Sequence, residues 1–328
     1  MSAYKRFACP TLIGRLAMIV VVALFIGVAG TRDAVAADPQ RQKSFASPEE
    51  AVQTLVEAVK TGDMETLATI LGPEGRPLIA SGDAVADTQE RERFVRAYDQ
   101  LHKLERPAET KAVIIIGQDE WPLPIPVVKE GDTWRFDTAA GKEEILNRRI
   151  GRNELNTMQV CLAYVDAQRE YARVPREDDG LLTYAMKFRS DEGKKNGLYW
   201  PTKEGEELSP LGVFVANARA EGYSRKPSGD KPTPYHGYVY RILTAQGPAA
   251  PGGAHDYVVN GKMIGGFALV AYPAQYGVSG VMTFLVNYRG VIYEKDLGPD
   301  TEYVARAIQT YNPDQTWKQA GASSPPTR

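Results

Sequence analysis

Cysteine and histidine are both scarce in this chain, which has two Cys and three His among 328 residues. Neither an H-x-x-x-H nor a C-x-x-C spacing occurs, so a zinc site of that kind is not predicted, and we expect neither a metal nor a cofactor. A carboxylate site for Ca²⁺ at Asp178–Asp179 or at Asp256 stays open, although no EF-hand loop is present. The three histidines are His102, His236 and His255.

The chain also has little net charge and none of the common glycine-rich catalytic motifs. The net charge is −2, so the chain does not have the excess of positive charge that is typical of nucleic-acid-binding proteins. No G-x-G-x-x-G fingerprint and no G-x-S-x-G elbow occurs, so neither a dinucleotide site nor a serine-hydrolase elbow is predicted. The remaining composition, 43% hydrophobic and 24% charged, is that of a globular protein, and the length suits about two domains.

Residues 1–37 have the features of a secretory signal peptide. Basic residues open the segment, and an uncharged, mostly apolar stretch runs from Leu16 to Thr31. A small-residue site at Ala34–Ala37 then precedes Asp38, as at signal-peptidase sites. The apolar stretch is shorter than the about 18–20 residues that a spanning helix needs. We therefore expect a periplasmic or secreted protein with no stable membrane span after cleavage; an uncleaved anchor is the alternative.

Removal of this leader would take Cys9 away and leave Cys161 alone. No intramolecular disulfide is then possible, and a chain of this length can form a core without one. Cys161 lies among apolar residues of a predicted helix, where a cysteine behaves as a small buried hydrophobe.

Residues 45–140 have the pattern of an N-terminal α+β domain. Ser47-Pro48-Glu49-Glu50 predicts a helix start, because Ser47 can cap the helix and Glu50 can complete a capping box. Gly62 and Asp63 end that helix and begin another, and a third helix is expected from near Asp87. Runs of β-branched and aromatic residues then predict strands at 112–116, 122–128 and 133–137.

Residues 141–311 have the pattern of a second α+β domain, which opens with a long helix over 141–172. A break is expected at Gly151, with a fresh cap at Asn153. Apolar residues recur in the helix at spacings of three and four, and this stripe is predicted to face the core. The stripe consists of Leu155, Met158, Leu162 and Val165.

An antiparallel meander is predicted after this helix. Alternating residues and short turns indicate strands at 237–244, 265–272, 281–287 and 290–294. The last residues, 312–328, include a stretch rich in Ser, Pro and Gly, and this tail is expected to be disordered.

Between the helix and the meander, a polar segment from Asp178 to Pro201 is predicted to be a loop. It contains Tyr199 and Trp200, and aromatic residues in a loop either fill a gap in the core or form an exposed recognition surface. The second alternative makes Tyr199 and Trp200 binding anchors, with Arg189 and Lys194 beside them.

Few residues are candidates for catalysis. His236 begins a strand and could act as a general base near neutral pH. Asp191 or Glu192 could supply the acid of a glycan hydrolase. Each has a plainer alternative, since a histidine can simply hydrogen-bond a loop and loop carboxylates are commonly solvated. The sequence therefore leaves catalysis open and favours a protein that is not an enzyme.

Three resemblances add to this interpretation. The A-V-x-x-L-V-x-A-V-x-x-G-D opening at Ala51–Asp63 and the G-D-x-W-x-F strand at Gly131–Phe136 resemble nuclear-transport-factor-like and cystatin-like folds. These folds place helices before a curved sheet and hold either an enzyme pocket or a binding cone. The C-terminal meander resembles the globular domain of type IV pilin-like proteins, in patterns at Gly237–Tyr240, Ala271–Pro273 and Gly280–Gly290.

The third resemblance extends over about residues 45–310 and is to domain-of-unknown-function family 2950, a family of exported bacterial proteins. It implies no catalytic residues. The motifs that carry it are Gly180–Ala185, Lys187–Ser190, Gly197–Pro201, Tyr235–Tyr238, Tyr240–Gly247, Gly265–Leu269, Ala271–Ala274 and Gly277–Phe284.

Together these features predict an exported bacterial envelope protein that acts as a binding or accessory module. The expected partner is an envelope protein or a cell-wall glycan, and not nucleic acid. Two alternatives remain: a cell-wall glycan hydrolase or glycan-binding enzyme, and an accessory of a pilus-like or secretion assembly.

Overall fold

The computed structural model describes residues 42–223 and 232–321. The predicted leader, residues 1–37, lies outside the described residues. No helix within the described ranges is long and apolar enough to cross a membrane. Helices and antiparallel sheets are both present, which confirms the predicted α+β class.

Four helices and a five-stranded antiparallel sheet form the N-terminal lobe, residues 42–136. The sheet has the order β1-β2-β4-β5, and β3 pairs with β2 outside this path. The helices are α1 (Pro48–Thr61), α2 (Met64–Leu71), α3 (Arg76–Ile79) and α4 (Ala84–Gln100). The strands are β1 (His102–Ala108), β2 (Lys111–Ile116), β3 (Trp121–Pro122), β4 (Val127–Glu130) and β5 (Thr133–Phe136).

Local signals determine the first helix. The Ser47 hydroxyl accepts a hydrogen bond from the Glu50 amide at 3.1 Å, and the Glu50 carboxylate accepts one from the Ala46 amide at 2.9 Å. The predicted cap by Ser47 is therefore confirmed, whereas Glu50 does not complete the capping box at the Ser47 amide and instead binds the amide one residue earlier. The helix ends at Gly62, whose φ of 69° lies in the left-handed region that glycine adopts without steric strain.

Helix α4, which corresponds to the third predicted helix, and strand β1 differ from the sequence prediction. α4 begins at Ala84, because Asp83 caps it by accepting from the Ala86 amide at 3.1 Å. β1 was not predicted, and six of its seven residues are exposed. An exposed edge strand has no apolar alternation, so the periodicity that indicates a strand is missing there.

A single helix, α5 (Thr138–Tyr171), connects the two lobes over 34 residues, or about 50 Å at 1.5 Å per residue. The predicted break at Gly151 is wrong, because one glycine weakens a helix by only about 1 kcal/mol and tertiary packing outweighs that loss. Asn153 caps nothing; its side chain is buried and donates to the Ser279 carbonyl at 2.9 Å.

The predicted core-facing stripe of α5 is also partly wrong. Leu155 and Leu162 are 60% and 46% exposed. The side that packs on the sheet carries small and polar residues, including Thr157 and Cys161, which are fully buried. Val165 is buried and Met158 packs against the same core cluster, as predicted, so the face that meets the sheet lies between the two halves of the predicted stripe.

The C-terminal lobe, residues 172–321, contains a five-stranded antiparallel sheet of order β14-β13-β12-β11-β6 and two shorter ladders. The four predicted strands of the meander are confirmed as β6, β11, β12 and β13. The helices are α6 (Gly212–Ala220) and α7 (Thr301–Ala307). The strands are β6 (Tyr238–Leu243), β7 (Ala245–Gln246), β8 (His255–Asp256), β9 (Val258–Val259), β10 (Lys262–Met263), β11 (Ala268–Pro273), β12 (Met282–Asn287), β13 (Ile292–Asp296) and β14 (Lys318–Gln319).

The end of the chain corrects one expectation. Residues 312–321, expected to belong to a disordered tail, are folded: Lys318 and Gln319 pair with β13, and the Ala320 amide donates to the Ile292 carbonyl at 2.9 Å. Trp317 packs against the core. The segment is ordered because it completes an otherwise open sheet edge and covers apolar surface. Residues 322–328 lie outside the described residues.

Buried apolar side chains form two clusters. One lies within residues 45–136, in the N-terminal lobe. The other contains part of α5 together with the central strands of the second sheet. β11 is buried along its whole length, as expected for a central strand between α5 and α7.

Candidate functional site

An apolar cavity of about 350 Å³ lies in the N-terminal lobe, between its helices and its sheet. Its volume falls within the range of about 300–1,000 Å³ that is usual for small-molecule sites. Protein interiors are packed nearly as densely as organic crystals, so a space of this size is not ordinary core. Its walls include Leu55, Leu67, Phe94, Ile116, Leu123 and Phe136.

One end of this cavity is charged. α4 contributes Asp87, Glu90, Arg91 and Arg93, and α5 contributes Arg149. The remaining walls are mainly aliphatic and aromatic. An apolar space with charged groups at one end suits a molecule that is itself apolar at one end and polar at the other.

The carboxylates and Arg149 already have partners. Arg149 is 4% exposed; it donates to Glu90 at 3.1 Å and to the Pro77 and Leu78 carbonyls at 2.7 and 2.6 Å. The other Glu90 oxygen accepts from Arg152 at 2.9 Å. Burial acts to raise the pKa of Glu90, but the two guanidinium groups outweigh it and hold that pKa below its usual value.

Asp87 has one donor: both of its oxygens accept from the Ser81 amide, at 3.2 and 3.0 Å. Burial raises the pKa of this carboxyl, against the effect of those hydrogen bonds. Glu90 is therefore matched by two guanidinium groups, whereas Asp87 has one N–H donor and no ion pair among the described residues.

Two donors at the cavity have no acceptor in the part of the chain that the structure describes. Arg93 is exposed at the charged end and makes no ion pair or hydrogen bond there. The indole N–H of Trp121 is buried and unpaired. Neither residue was singled out from the sequence, because only the tertiary fold places both at one cavity.

The predicted binding anchors are core residues. Tyr199 and Trp200 are 9% and 3% exposed. The Trp200 indole donates to the Glu207 carbonyl at 3.2 Å, and the Tyr199 hydroxyl accepts from Arg219 at 2.7 Å. This burial agrees with the alternative in which both fill a gap in the core, and it leaves neither ring accessible to a partner.

The polar residues expected beside those anchors support the loop itself. The Arg189 guanidinium lies 5.8 Å from the centre of the Tyr199 ring. The Lys194 amide donates to the Asp191 carbonyl at 3.0 Å and closes a turn, while its side chain is exposed. These contacts stabilise the segment without forming a cleft.

The candidate acids do not meet the candidate base. Asp191 and Glu192 are exposed, and no hydrogen bond or ion pair joins either to His236 within the described ranges. Hydrogen bonds from Lys187 and Asn196 lower the pKa of Asp191. A lowered pKa keeps that carboxyl ionised, whereas a general acid near neutral pH needs a raised one.

His236 lies instead in a polar cluster between the lobes. Its Nε2 atom is 3.5 Å from a Glu221 carboxylate oxygen, and its backbone amide donates to the Tyr223 hydroxyl at 3.1 Å. Tyr223 in turn donates to the buried Asp83 at 3.0 Å, and the Gly237 amide donates to the same oxygen at 2.9 Å. Asp83 therefore ties the start of α4 to the C-terminal lobe.

Burial lowers the pKa of His236, with the charge of Arg152 acting in the same direction and Glu221 and Asp83 opposing. Its imidazole is thus neutral near pH 7, as a base requires. Within the described residues, however, no serine, threonine or cysteine is hydrogen-bonded to its ring. A cavity of about 490 Å³ adjoins the cluster, lined by Asp83 and Tyr223 among others, but His236 is not part of its lining.

Other candidate chemistry is accounted for by simple contacts. Asp179 pairs with Lys262, and among the described residues no group of three or more metal-ligating side chains occurs. Cys161 is fully buried, and burial raises the pKa of its thiol to about 12. It is therefore a protonated core residue at neutral pH.

The fold and the cavity together define an α+β protein with an apolar pocket in its N-terminal lobe. The chain belongs to the family described as "Protein of unknown function (DUF2950)", which matches residues 42–320. The resemblance to that family is thereby confirmed. No curated protein and no solved structure matches the chain. The likenesses to nuclear-transport-factor-like, cystatin-like and pilin-like domains stay predictions.

Proposed function

We propose that this protein is an exported, non-catalytic binding protein of the bacterial envelope, and that its N-terminal cavity holds an apolar portion of a small molecule. One observation carries the proposal: an apolar space of about 350 Å³ is walled by the helices and sheet of the N-terminal lobe. Removing apolar ligand surface from water contributes about 25 cal/mol per Å², which is the main source of affinity in such a site.

Export is supported by the composition of residues 1–37. A positive start, an apolar stretch and a small-residue site occur there in the order of a secretory signal. N-terminal sequencing of the protein recovered from a periplasmic fraction tests this part of the proposal. Asp38 as the first residue supports cleavage, whereas an intact Met1 in the membrane fraction would support an anchor instead.

A neutral fluorescent probe tests the cavity. We expect 1-N-phenylnaphthylamine, which emits strongly in apolar surroundings, to bind the exported wild-type protein saturably at one site. Val59 lines the cavity from α1, and Val59→Phe would fill part of the space and weaken probe binding about tenfold. Val213→Phe makes the same chemical change at a residue that is 74% exposed, and it should leave binding unchanged.

Circular dichroism would establish that Val59→Phe folds. If Val59→Phe does not fold, Leu78→Trp, which fills the cavity from α3, is used in its place. Probe binding that is absent from the wild type, or equal in the cavity-filling variant and Val213→Phe, would refute the proposal.

A further inference from the structure

Cationic side chains outnumber carboxylates in the lining of the N-terminal cavity. The cations are Arg91, Arg93 and Arg149, and the carboxylates are Asp87 and Glu90. Its carboxylates, Asp87 and Glu90, already accept from the Ser81 amide and from Arg149 and Arg152. The charge of Arg149 is already matched by Glu90. Arg93 has no such carboxylate partner among the described residues, so the excess of positive charge at the cavity favours an anionic ligand.

Arg93 is the principal free donor. Arg91, two residues earlier on α4, donates to the Thr88 hydroxyl at 2.8 Å, whereas Arg93 has no such partner among the described residues. Loss of solvent around Arg93 lowers the pKa of its guanidinium, and the positive charge of Arg152 acts in the same direction. An anion bound beside Arg93 would compensate for both effects.

Trp121 provides the second free donor. It lines the cavity from β3, and its indole N–H is buried with no acceptor in the described part of the chain. Most buried polar atoms in proteins have a partner, which makes this unpaired N–H unusual. The nitrogen itself has almost no accessible surface, so a ligand oxygen would reach it only after the Trp121 ring turns toward the cavity.

The geometry points to an amphiphile with one acyl chain and an anionic head group as the ligand of this cavity, with the chain between the helices and the sheet and the head group at Arg93. This inference rests on the proposed function and adds the class of the ligand. A carboxylate or a phosphate matches the planar fork of a guanidinium. The cavity volume of about 350 Å³ suits one chain rather than two.

The test compares ligands that differ only in the head group. Displacement of 1-N-phenylnaphthylamine is measured at low salt and about pH 8, where carboxyl groups are ionised. We expect dodecanoate to displace the probe at about a five- to tenfold lower concentration than dodecanol. Lauroyl-lysophosphatidylglycerol is tested in parallel to distinguish a free fatty acid from a lysolipid. Its larger head group must also fit beside Arg93 if a lysolipid is the ligand.

Matched variants on α4 locate the charge. Arg93→Gln should reduce the preference for dodecanoate to less than about twofold and leave the affinity for dodecanol unchanged. Arg93→Lys should retain part of the preference. Arg96→Gln is the matched control, because it removes a positive charge one helical turn from Arg93. The Arg96 side chain is 62% exposed and lies 3.7 Å from Glu92, so this variant should retain the full preference for dodecanoate.

The outcomes separate this inference from the proposed function. If the wild type binds the probe saturably but has equal affinity for dodecanoate and dodecanol, the inference of an anionic head group is overturned. The cavity would then still be a binding site. A preference that survives Arg93→Gln would also overturn that inference. Failure of the probe and of both ligands to bind would refute the proposed function itself.

Discussion

Asp83→Ala is expected to destabilise the protein strongly, because one buried carboxylate connects the two lobes. Asp83 is 2% exposed. One of its oxygens accepts from the Ala86 amide and caps α4, and the other accepts from the Tyr223 hydroxyl and the Gly237 amide. All three hydrogen bonds disappear in the alanine variant.

The expected magnitude follows from these contacts. Loss of an N-cap side chain costs about 1 kcal/mol. Each donor left unsatisfied costs about 1–3 kcal/mol, and the lower half of that range applies here because Asp83 also lines a cavity of about 490 Å³ that water can enter. The sum is about 3–5 kcal/mol, a large part of the about 5–15 kcal/mol that stabilises a typical protein.

Urea unfolding at pH 7, followed by circular dichroism, measures this loss. Asp83→Asn keeps only one accepting oxygen, so we expect an intermediate loss of about 2 kcal/mol. Tyr223→Phe removes one hydroxyl and should cost about 1 kcal/mol, and its effect should be smaller in the Asp83→Ala background because the two groups share one bond. A loss below about 0.5 kcal/mol in Asp83→Ala would refute the reasoning.

Three further predictions concern single sites. Gly151→Ala should raise the free energy of unfolding by about 1 kcal/mol in urea, because its new Cβ meets no atom within 4 Å and alanine favours the helix; a loss would contradict this. Gln168→Leu should lower it by about 3 kcal/mol, since the fully buried amide bonds both the N–H and the C=O of Ala185; a loss below 1 kcal/mol would be inconsistent. The lowered pKa of His236 means that the folded state binds fewer protons than the unfolded state as the pH falls below 6.5, so stability is lost in that window. Asparagine tolerates the positive φ of 51° at this position, so His236→Asn should fold and should show a smaller fall in Tm between pH 7.5 and 5.5 than the wild type does. An equal fall in both proteins would disprove the role of His236.

Features with local causes could be predicted from the sequence. The N-cap at Ser47 and the glycine end at Gly62 depend on neighbouring residues, and both occur as predicted. Four strands of the second sheet, β6, β11, β12 and β13, were predicted for the same reason, since runs of strand-forming residues between turn signals are visible within a few residues.

Features that depend on distant residues could not be predicted in this way. Leu155 and Leu162 are exposed because the second core packs on another face of α5, which carries Cys161, Tyr164 and Val165. β14 forms only where β13 offers an open edge. The aromatic pair Tyr199 and Trp200 admitted two interpretations, and only its surroundings show that it is buried.

The candidate site was missed for the same reason. Arg93 lies on a helix rich in charged residues, where nothing local distinguishes it from Arg91 or Arg96. Trp121 comes from β3, which belongs to the sheet. A cavity is a property of packing between elements, so its walls cannot be read from any single segment.

Methyl NMR gives the most direct test of the central claim that the N-terminal cavity is the ligand site. Dodecanoate is added to exported protein labelled with ¹³C at the Leu and Val methyl groups. We predict shift changes confined to methyl groups that line the cavity, such as those of Leu55, Val59 and Leu67, with none at Leu243 or Val286 in the core of the second lobe. No change at a saturating concentration, or changes confined to the second lobe, would contradict the account.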